Sequence, residues 1–384
     1  MNFIKNLFKK KEPQPEKPKK SWLREWLDAI VFAGTAALII RTFFIELYQI
    51  PTSSMERSLM VGDFLFVSKF HYGTRLPMIP LCIPFIHNRI PMSNLYSYTD
   101  LIELPYLRLP GISEIKRNDV VVFNYPEDDI DPNNPDLGPV ETPSMKENFI
   151  KRCVAVPGDS LQIIDHQVYI NGKQGFNPPE MQYRYNVLTN GEPFNEKNLR
   201  QFGFRKPGDM NQNWYQATDS LFKFDMTNSL VQQFQQSNNV KKIEPEILPQ
   251  NATANQYYPH NSTNHPWNHD QFGPIYIPKK GETVKLDSSN IYIYKRIIET
   301  YEKHKLEIKS GGIFIDGKIA TQYTFEMNYY WMMGDNRNNS KDSRFWGYVP
   351  ENHVLGKPLL VFFSIENLFK EPGFRWSRFC KLIE

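Results

Sequence analysis

The stretch NFIKRCVAVPGDSLQIIDHQVYINGK (148–173) indicates the fold class of this chain. Phe149–Val156 is an apolar, β-branched run that ends at Pro157-Gly158-Asp159, residues that favour a turn. Leu161–Ile164 and Gln167–Ile170 follow as two short apolar segments, and Asn171-Gly172 is a pair typical of hairpin turns. A strand, a turn and a hairpin thus follow one another without room for a helix. The stretch predicts antiparallel β structure.

Similar runs occur on both sides of this stretch. They share β-branched and aromatic residues bounded by polar ones, and they are Asp63–Lys69, Asp119–Asn124, Ile313–Ile315, Tyr329–Met333 and Leu359–Ser364. Asp316-Gly317 repeats the pattern of a strand followed by a turn. Helical periodicity is missing after Leu47, apart from Asp219–Gln236. The sequence therefore predicts a mainly β fold.

Composition narrows the classes of function. With 40% hydrophobic and 14% aromatic residues, the chain can bury a core, and its net charge of +3 gives no basic face for nucleic acid. Nucleic acid is therefore not an expected partner. None of the three cysteines lies in a CxxC pair, and no cluster has metal-ligand spacing. We expect neither a metal nor an organic cofactor.

The N-terminal region predicts a membrane anchor. Residues 1–20 contain seven lysines and two glutamates, and prolines that disfavour a helix. The uncharged centre Ala29–Ile40 is shorter than the roughly 20 residues that span a bilayer. Extension to Trp22–Leu47 reaches that length, because charges near the ends can reach the headgroups and Trp22 and Trp26 suit the interface. The basic tail then predicts a cytoplasmic N-terminus.

Two other interpretations of this apolar segment stay open at this point. Its centre has the length of the apolar part of a cleaved secretory signal, and it could also be a buried helix of a soluble protein. The absence of a small-residue cleavage site at the end of the run, and its small apolar centre, favour the anchor. We therefore predict a single span, with the rest of the chain on the extracytoplasmic face of the inner or plasma membrane.

The predicted organisation has five parts. They are a basic tail (1–21), an anchor (22–47), a first part of the core (48–175), an inserted subdomain rich in Asn, Gln and aromatic residues (176–285), and a second part of the core (286–384). Within the first part, residues 74–115 are rich in proline and apolar side chains. This second insertion is either an irregular loop packed on the core or a surface that enters the lipid interface.

Two segments carry residues suited to nucleophilic catalysis. IPTSSM (50–55) places three hydroxyls directly after the anchor, and a serine such as Ser54 needs a neighbouring base to act as a nucleophile. In NFIKRCV (148–154), Lys151 lies in an otherwise apolar strand, where burial lowers the pKa of the amine. A lysine with a lowered pKa can serve as a general base without histidine. Ser54 and Lys151 are therefore a candidate catalytic pair.

A third segment is a dense polar run between two apolar strands, GDNRNNSKDSR (334–344). Buried polar groups cost free energy unless they are hydrogen-bonded, so this run predicts a polar network. Such a network can orient Lys151 toward Ser54. Each segment alone is common in proteins, but their joint occurrence behind an anchor favours a membrane-tethered Ser/Lys protease.

The three segments resemble the signature motifs of the type I signal peptidases, the bacterial leader peptidases. The resemblance covers the anchor and four further segments: Glu46–Phe70, Lys116–Asp128, Asn148–Gly172 and Tyr329–Ser364. It implies an antiparallel β catalytic core and a serine endopeptidase that cleaves signal peptides from exported preproteins at the bilayer. A self-cleaving repressor, which needs a DNA-binding segment first, and a non-enzymatic, membrane-tethered binding protein with a relic protease core are the alternatives.

The resemblance also implies roles for individual residues. Ser54 corresponds to the nucleophile, Lys151 to the general base, Thr52 to a hydroxyl of the oxyanion hole, and Ser340 to a hydroxyl that orients the lysine. The supporting polar network comprises Arg152, Asp335, Asp342 and Arg344. Residues implied as walls of the substrate pockets are Tyr48, Ile50, Met55, Leu59, Phe149 and Ile150.

This sequence departs from the family pattern at two places. Arg57-Ser58 stands where Pro-Thr is usual, which could alter how the turn after Ser54 is held. Phe149 stands where tyrosine is common, so one hydroxyl is missing.

Overall fold

The computed structural model describes residues 21–86, 90–92, 95–127, 142–192, 194–205, 212–366 and 373–383. The predicted basic tail (1–21) lies almost wholly outside these residues. Helices are α1 (Trp22–Phe43), α2 (Glu196–Gln201), α3 (Asn228–Gln235), α4 (Ile291–Arg296) and α5 (Ser343–Trp346). The strands are β1 (Ile45–Gln49), β2 (Asp63–Ser68), β3 (Val120–Asn124), β4 (Asn148–Ala155), β5 (Ser160–Ile164), β6 (Gln167–Ile170), β7 (Lys173–Gln174), β8 (Tyr183–Thr189), β9 (Trp214–Gln216), β10 (Leu221–Met226), β11 (Val240–Pro245), β12 (Phe272–Tyr276), β13 (Thr283–Lys285), β14 (Leu306–Lys309), β15 (Gly312–Ile315), β16 (Lys318–Ile319), β17 (Gln322–Thr324), β18 (Tyr329–Met333), β19 (Val349–Pro350), β20 (Val354–Glu366), β21 (Gly373–Phe374) and β22 (Lys381–Leu382). The prediction of a mainly antiparallel β fold is confirmed.

Helix α1 is long and apolar enough to cross a bilayer, judged by its length and composition. Its 22 residues extend for about 33 Å, against a hydrocarbon thickness of about 30 Å. The helix ends at Phe43, whereas we predicted an anchor that continued to Leu47. The following residues form β1 instead. Their side chains alternate in exposure, and Glu46 forms an ion pair with Lys69 at 2.7 Å.

A nine-stranded sheet forms the centre of residues 42–384. Its order is β1-β2-β20-β3-β4-β18-β19, and β21 and β22 also pair with β20. All five residues of β3 are buried, because apolar clusters cover both faces of the sheet there. This explains why the sequence of β3 is a continuous apolar run rather than an alternating one.

Smaller sheets pack beside the central sheet. Strands β5 and β6 form the predicted hairpin and belong to a sheet of order β12-β5-β6-β7. Asn171 and Gly172 both have positive φ, as do Asp316 and Gly317 in the turn between β15 and β16. Such turns need two left-handed residues, so the repeated Asx-Gly pairs were reliable signals.

The described residues between 183 and 245 form a separate sheet with its own apolar cluster. The sheet has the order β11-β8-β10-β9, and α2 and α3 cover one face. Buried aromatic side chains, including Phe204, Phe224 and Phe234, fill the space between the sheet and the helices. The predicted inserted range continues to residue 285, but β12 within that range pairs with β5 of the neighbouring sheet. We call residues 183–245 the inserted subdomain below.

Candidate active site

Ser54 lies in a tight 3-10 turn, Ser53–Met55, that follows the extended residue Thr52. Met55 is completely buried and anchors the turn in the core, while Ser54 itself is 8% exposed. The backbone N–H of Ile50 donates to Asp63 O at 2.9 Å and fixes the chain before the turn. Since Ser54 is the second residue of the turn, its N–H has no partner within the turn and is available as a donor.

Lys151 lies on β4 with its amine on Ser54. Lys151 Nζ is 2.7 Å from Ser54 Oγ and 3.0 Å from Ile150 O, and the side chain is 2% exposed. Burial lowers the pKa of Lys151 to about 8, although the carboxylates of Asp342 and Asp335 act in the opposite direction. With this pKa, about a tenth of the amine is neutral at pH 7, and a general base requires the neutral form.

The sheet opens beside Lys151. Strand β18 pairs with β4 only from Arg152 onward, where Arg152 lies opposite Met333. Residues 148–151 pair with β3 on their other side, and within the described residues no strand occupies the edge that faces away from β3. An extended peptide could form main-chain hydrogen bonds along this edge, next to the candidate pair.

The loop after β18 holds the serine turn in place by hydrogen bonds to Ser53 and Ser54. Asn336 N donates to Ser54 O at 3.0 Å, and Asn336 Nδ2 donates to Ser53 O at 3.1 Å. Asn339 Nδ2 donates to Ser53 Oγ at 3.0 Å. These asparagines belong to the polar run 334–344, but nothing in the sequence places them against residues 53 and 54, so no role was predicted for them.

Gly334 is a further residue that sequence reasoning missed. A Cβ atom there would lie 2.3 Å from Ser340 Oγ and 2.5 Å from Ser54 O. Only glycine therefore permits the loop to approach the serine turn this closely. A glycine directly after an apolar strand was the available signal.

Two buried ion pairs support this arrangement. Arg152 contacts Asp335 through Nε and Nη2, at 2.9 and 2.8 Å, and Asp335 Oδ2 also accepts from Ser58 Oγ at 2.6 Å. Arg344 contacts Asp342 in the same two-point manner, at 2.8 Å for each bond. The structure thus joins the four residues of the predicted network into two pairs, one of which connects β4 to the loop.

Asp342 remains ionised despite its complete burial. Burial alone raises the pKa of its carboxyl, but the charge and hydrogen bonds of Arg344, the N–H of Gly334 and the hydroxyl of Ser340 outweigh it and lower the pKa below its ordinary value. A permanent negative charge near Lys151 is the result.

The two predicted hydroxyl groups differ in their placement. Thr52 Oγ1 lies 3.5 Å from Ser54 Oγ, on the exposed side of the turn. Ser340 is buried beside Gly334, but no hydrogen bond joins it to Lys151. The structure therefore brings Thr52 close to Ser54, the candidate nucleophile, while the implied contact between Ser340 and the lysine amine is not formed.

The six predicted pocket residues fall into two groups. Ile50, Met55 and Leu59 are buried in one apolar cluster, with Tyr48 and Ile150 partly exposed against it. Phe149 packs instead on Tyr125 and Trp346, with ring centroids 4.8 and 5.6 Å apart, and its ring centroid is 5.4 Å from Lys151 Nζ. Tyr48, Phe149 and Ile150 are the members of this set with surface to offer a substrate.

Comparison with known proteins places this geometry in a family. The family described as signal peptidase, peptidase S26, matches residues 23–245 and 277–363, so the match includes residues 74–115 and the inserted subdomain. Among curated relatives named signal peptidase I, that of Buchnera aphidicola subsp. Baizongia pistaciae is 25% identical over 87% of this chain and 74% of its own length.

Two further relatives with the same name come from distant bacteria. The protein of Aquifex aeolicus is 22% identical over 86% of this chain and 80% of its own length. That of Haemophilus influenzae is 23% identical over 94% of this chain and 76% of its own length. Since the family match covers most of the chain and includes Ser54, Lys151 and the polar loop, this chain belongs to the signal peptidase family, peptidase S26.

Proposed function

We propose that this chain removes signal peptides from secreted preproteins, with Ser54 as the nucleophile and Lys151 as the general base. The observation that carries the proposal is the 2.7 Å contact between Ser54 Oγ and Lys151 Nζ in a buried site. The family and its curated relatives, named signal peptidase I, support this substrate class.

The chemistry follows from the contacts of these groups. The neutral amine of Lys151 accepts the hydroxyl proton as Ser54 Oγ attacks the peptide carbonyl carbon. The N–H of Ser54 and the hydroxyl of Thr52 stabilise the oxyanion that forms. Lys151 then gives its proton to the leaving amine as the C–N bond breaks. In the second step Lys151 takes a proton from a water molecule that attacks the ester carbonyl carbon, and it returns this proton to Ser54 Oγ as the C–O bond breaks.

The open edge at residues 148–151 is the proposed binding place of the substrate. A peptide in extended form adds there as a strand, and alternate side chains contact Tyr48, Phe149 and Ile150. The resemblance to signal peptidases suggests that the pockets accept small side chains before the cleaved bond. No cofactor takes part in the proposed reaction.

We further propose that α1 anchors the enzyme in the inner or plasma membrane, with the basic tail (1–21) in the cytoplasm and the catalytic part on the extracytoplasmic face. The length of α1 and the seven lysines before it support this orientation. The region 74–115 also exposes large apolar side chains and is proposed to contact lipid: Leu81, Ile83, Phe85, Met92, Leu95, Leu101 and Leu107.

Cleavage of a secreted preprotein by the purified chain in detergent tests the proposal. We expect Ser54→Ala and Lys151→Ala to abolish cleavage, while the exposed controls Ser160→Ala and Lys173→Ala keep the wild-type rate. Cleavage by Ser54→Ala at the wild-type rate contradicts the assignment of the nucleophile. In right-side-out vesicles, external protease should degrade the catalytic part; complete protection contradicts the orientation.

A further inference from the structure

The turn that carries Ser54 is attached to the inserted subdomain at Arg57. The guanidinium of Arg57 donates through Nη2 to Phe202 O, the carbonyl that follows α2. The same group lies over Gly203, where a Cβ atom would be 3.3 Å from Nη2. The serine turn and the subdomain are therefore closely packed at Arg57.

The backbone of Arg57 indicates that this contact constrains the turn. Its φ of 70° is in the left-handed region, which is unfavourable for a residue with a side chain. A surrounding structure has to hold such a residue in place. The same conformation directs the chain from Ser54 toward Ser58, whose hydroxyl bonds to Asp335.

A second contact runs parallel to the first. Glu56 is 5% exposed, and Arg205 of the inserted subdomain approaches its carboxylate to 3.5 Å. Burial raises the pKa of Glu56, and the charge of Arg205 opposes that effect. Two consecutive residues after Met55 are thus engaged by the segment 202–205.

The segment 202–205 is itself fixed within the inserted subdomain. Phe204 is buried between Phe224 and Phe234, with ring centroids 5.0 and 5.5 Å away. Asn213 accepts from Arg205 N at 2.9 Å and donates to Gly203 O at 3.3 Å. The segment that contacts Arg57 is therefore fixed by the core of the subdomain.

The inserted subdomain and Gln182, the residue directly before it, also contact the polar loop beside Ser54. Gln182, directly before β8, donates through its N–H to Asp335 O at 2.9 Å and accepts from Arg337 N at 3.0 Å. Arg184 N donates to Asn338 Oδ1 at 2.9 Å. The subdomain thus contacts both structures that fix Ser54: the turn after it and the loop beside it.

We propose, given the proposed function, that Arg57 is a positioning residue for Ser54, which ties the serine turn to the inserted subdomain and so keeps Ser54 Oγ within reach of Lys151. Arg57 does not contact Lys151 or Ser54 Oγ, and its effect acts through the turn. The inserted subdomain is accordingly a support of the catalytic geometry, whatever else it binds.

Kinetics of the full chain in detergent test this role. We expect Arg57→Ala to lower kcat for preprotein cleavage about 10- to 100-fold, because a displacement of about 1 Å has that effect, while KM stays within twofold. The midpoint of the pH dependence of kcat should move upward, since a displaced serine admits water to Lys151. Arg57→Lys should recover part of kcat. Arg200→Ala, an exposed change on α2, is the matched control and should leave kcat unchanged.

A double-variant cycle tests the route of the effect. Gly203→Ala places a methyl group 3.3 Å from Arg57 Nη2 and also strains the backbone, since Gly203 has a φ of 81°. The strain is common to both backgrounds, so Gly203→Ala should lower kcat more in the wild-type background than in Arg57→Ala. Multiplicative effects, or kcat within twofold of wild type in Arg57→Ala, overturn the proposal. A lower melting temperature of Arg57→Ala with an unchanged pH midpoint of kcat would indicate a purely structural role for Arg57 and would also overturn the proposal. Activity of Ser54→Ala would instead contradict the proposed function, independently of Arg57.

Discussion

Arg152 and Asp335 form a two-point ion pair, at 2.9 and 2.8 Å, with Asp335 fully buried. The pair joins the residue directly after Lys151 on β4 to the loop that contacts the carbonyl of Ser54. The two proposed catalytic groups, Ser54 and Lys151, are therefore held together by a contact in which neither takes part.

Removal of the charge of Asp335 should destabilise the fold. Asp335→Asn leaves the guanidinium of Arg152 buried beside a neutral group, and breaking such a buried pair costs about 3–5 kcal/mol of unfolding free energy. Urea unfolding of the chain in detergent measures the difference.

Glu244→Gln is the matched control for that substitution. Glu244 pairs with Lys242 at 2.6 Å, but both side chains are more than half exposed, so we expect a change of at most about 1 kcal/mol. Equal losses in the two variants would contradict a structural role for the buried pair.

The activity should depend on the ionisation of Lys151. Because burial lowers the pKa of Lys151 to about 8, kcat should rise with pH and reach half of its maximum near pH 8. Single-turnover cleavage between pH 6 and 9.5 measures this dependence. A midpoint near the ordinary lysine value would indicate that the amine is solvated and contradict the role of burial.

The same lowered pKa predicts a trend in stability. Between about pH 8 and the ordinary pKa of lysine, 10.5, the unfolded chain binds a proton on Lys151 that the folded chain does not. The contribution of Lys151 to the unfolding free energy therefore rises with pH across this window. Lys151→Met should remove this rise, which melting temperatures of both proteins at pH 8 and 10 can reveal; an identical trend in both contradicts it.

Gly334→Ala should disable the site while the fold persists. The added methyl group meets Ser340 Oγ at 2.3 Å and Ser54 O at 2.5 Å, so either the loop or the serine turn has to move. We expect kcat to fall about 100-fold, the effect of a displacement of about 1 Å. In the control Gly311→Ala, the methyl group has only one neighbour, Phe314 at 3.9 Å. Similar kcat values for the two variants would show that the close approach is not needed.

Thr52→Val tests the proposed oxyanion donor. Loss of one such donor typically lowers kcat about 100- to 1,000-fold, and KM should change little because the contact strengthens in the transition state. Thr52→Ser keeps the hydroxyl and should retain most of the activity. If Thr52→Val cleaves as fast as Thr52→Ser, the hydroxyl has no role in the reaction.

The strands were accessible from the sequence because their signals are local. β18 was predicted with its observed ends, and β2, β3 and β4 within one residue or so, since each is an apolar run bounded by polar residues. The end of α1 was misjudged because Ile45 and Leu47 look equally suited to a bilayer and to a strand. Asp219–Gln236 looked helical throughout, but its first part is β10 and only the remainder is α3.

The candidate site could be predicted in its residues but not in its contacts. Each of the three segments is common alone, but Ser54, Lys151 and the polar run were recognisable because the segments occur together behind an apolar segment. Contacts such as that of Asn336 with Ser54 O join residues almost three hundred positions apart, and no local pattern encodes them. The contact between Arg57 and Phe202, which are 145 positions apart, is likewise not encoded by any local pattern.

Strand β20 is the neighbour of both β2 and β3 in the central sheet, so these two early strands are joined only through a strand from near the end of the chain. During synthesis, residues 354–366 must leave the ribosome before β2 and β3 can join in one sheet. The proposed catalytic site therefore forms only late in the synthesis of the chain.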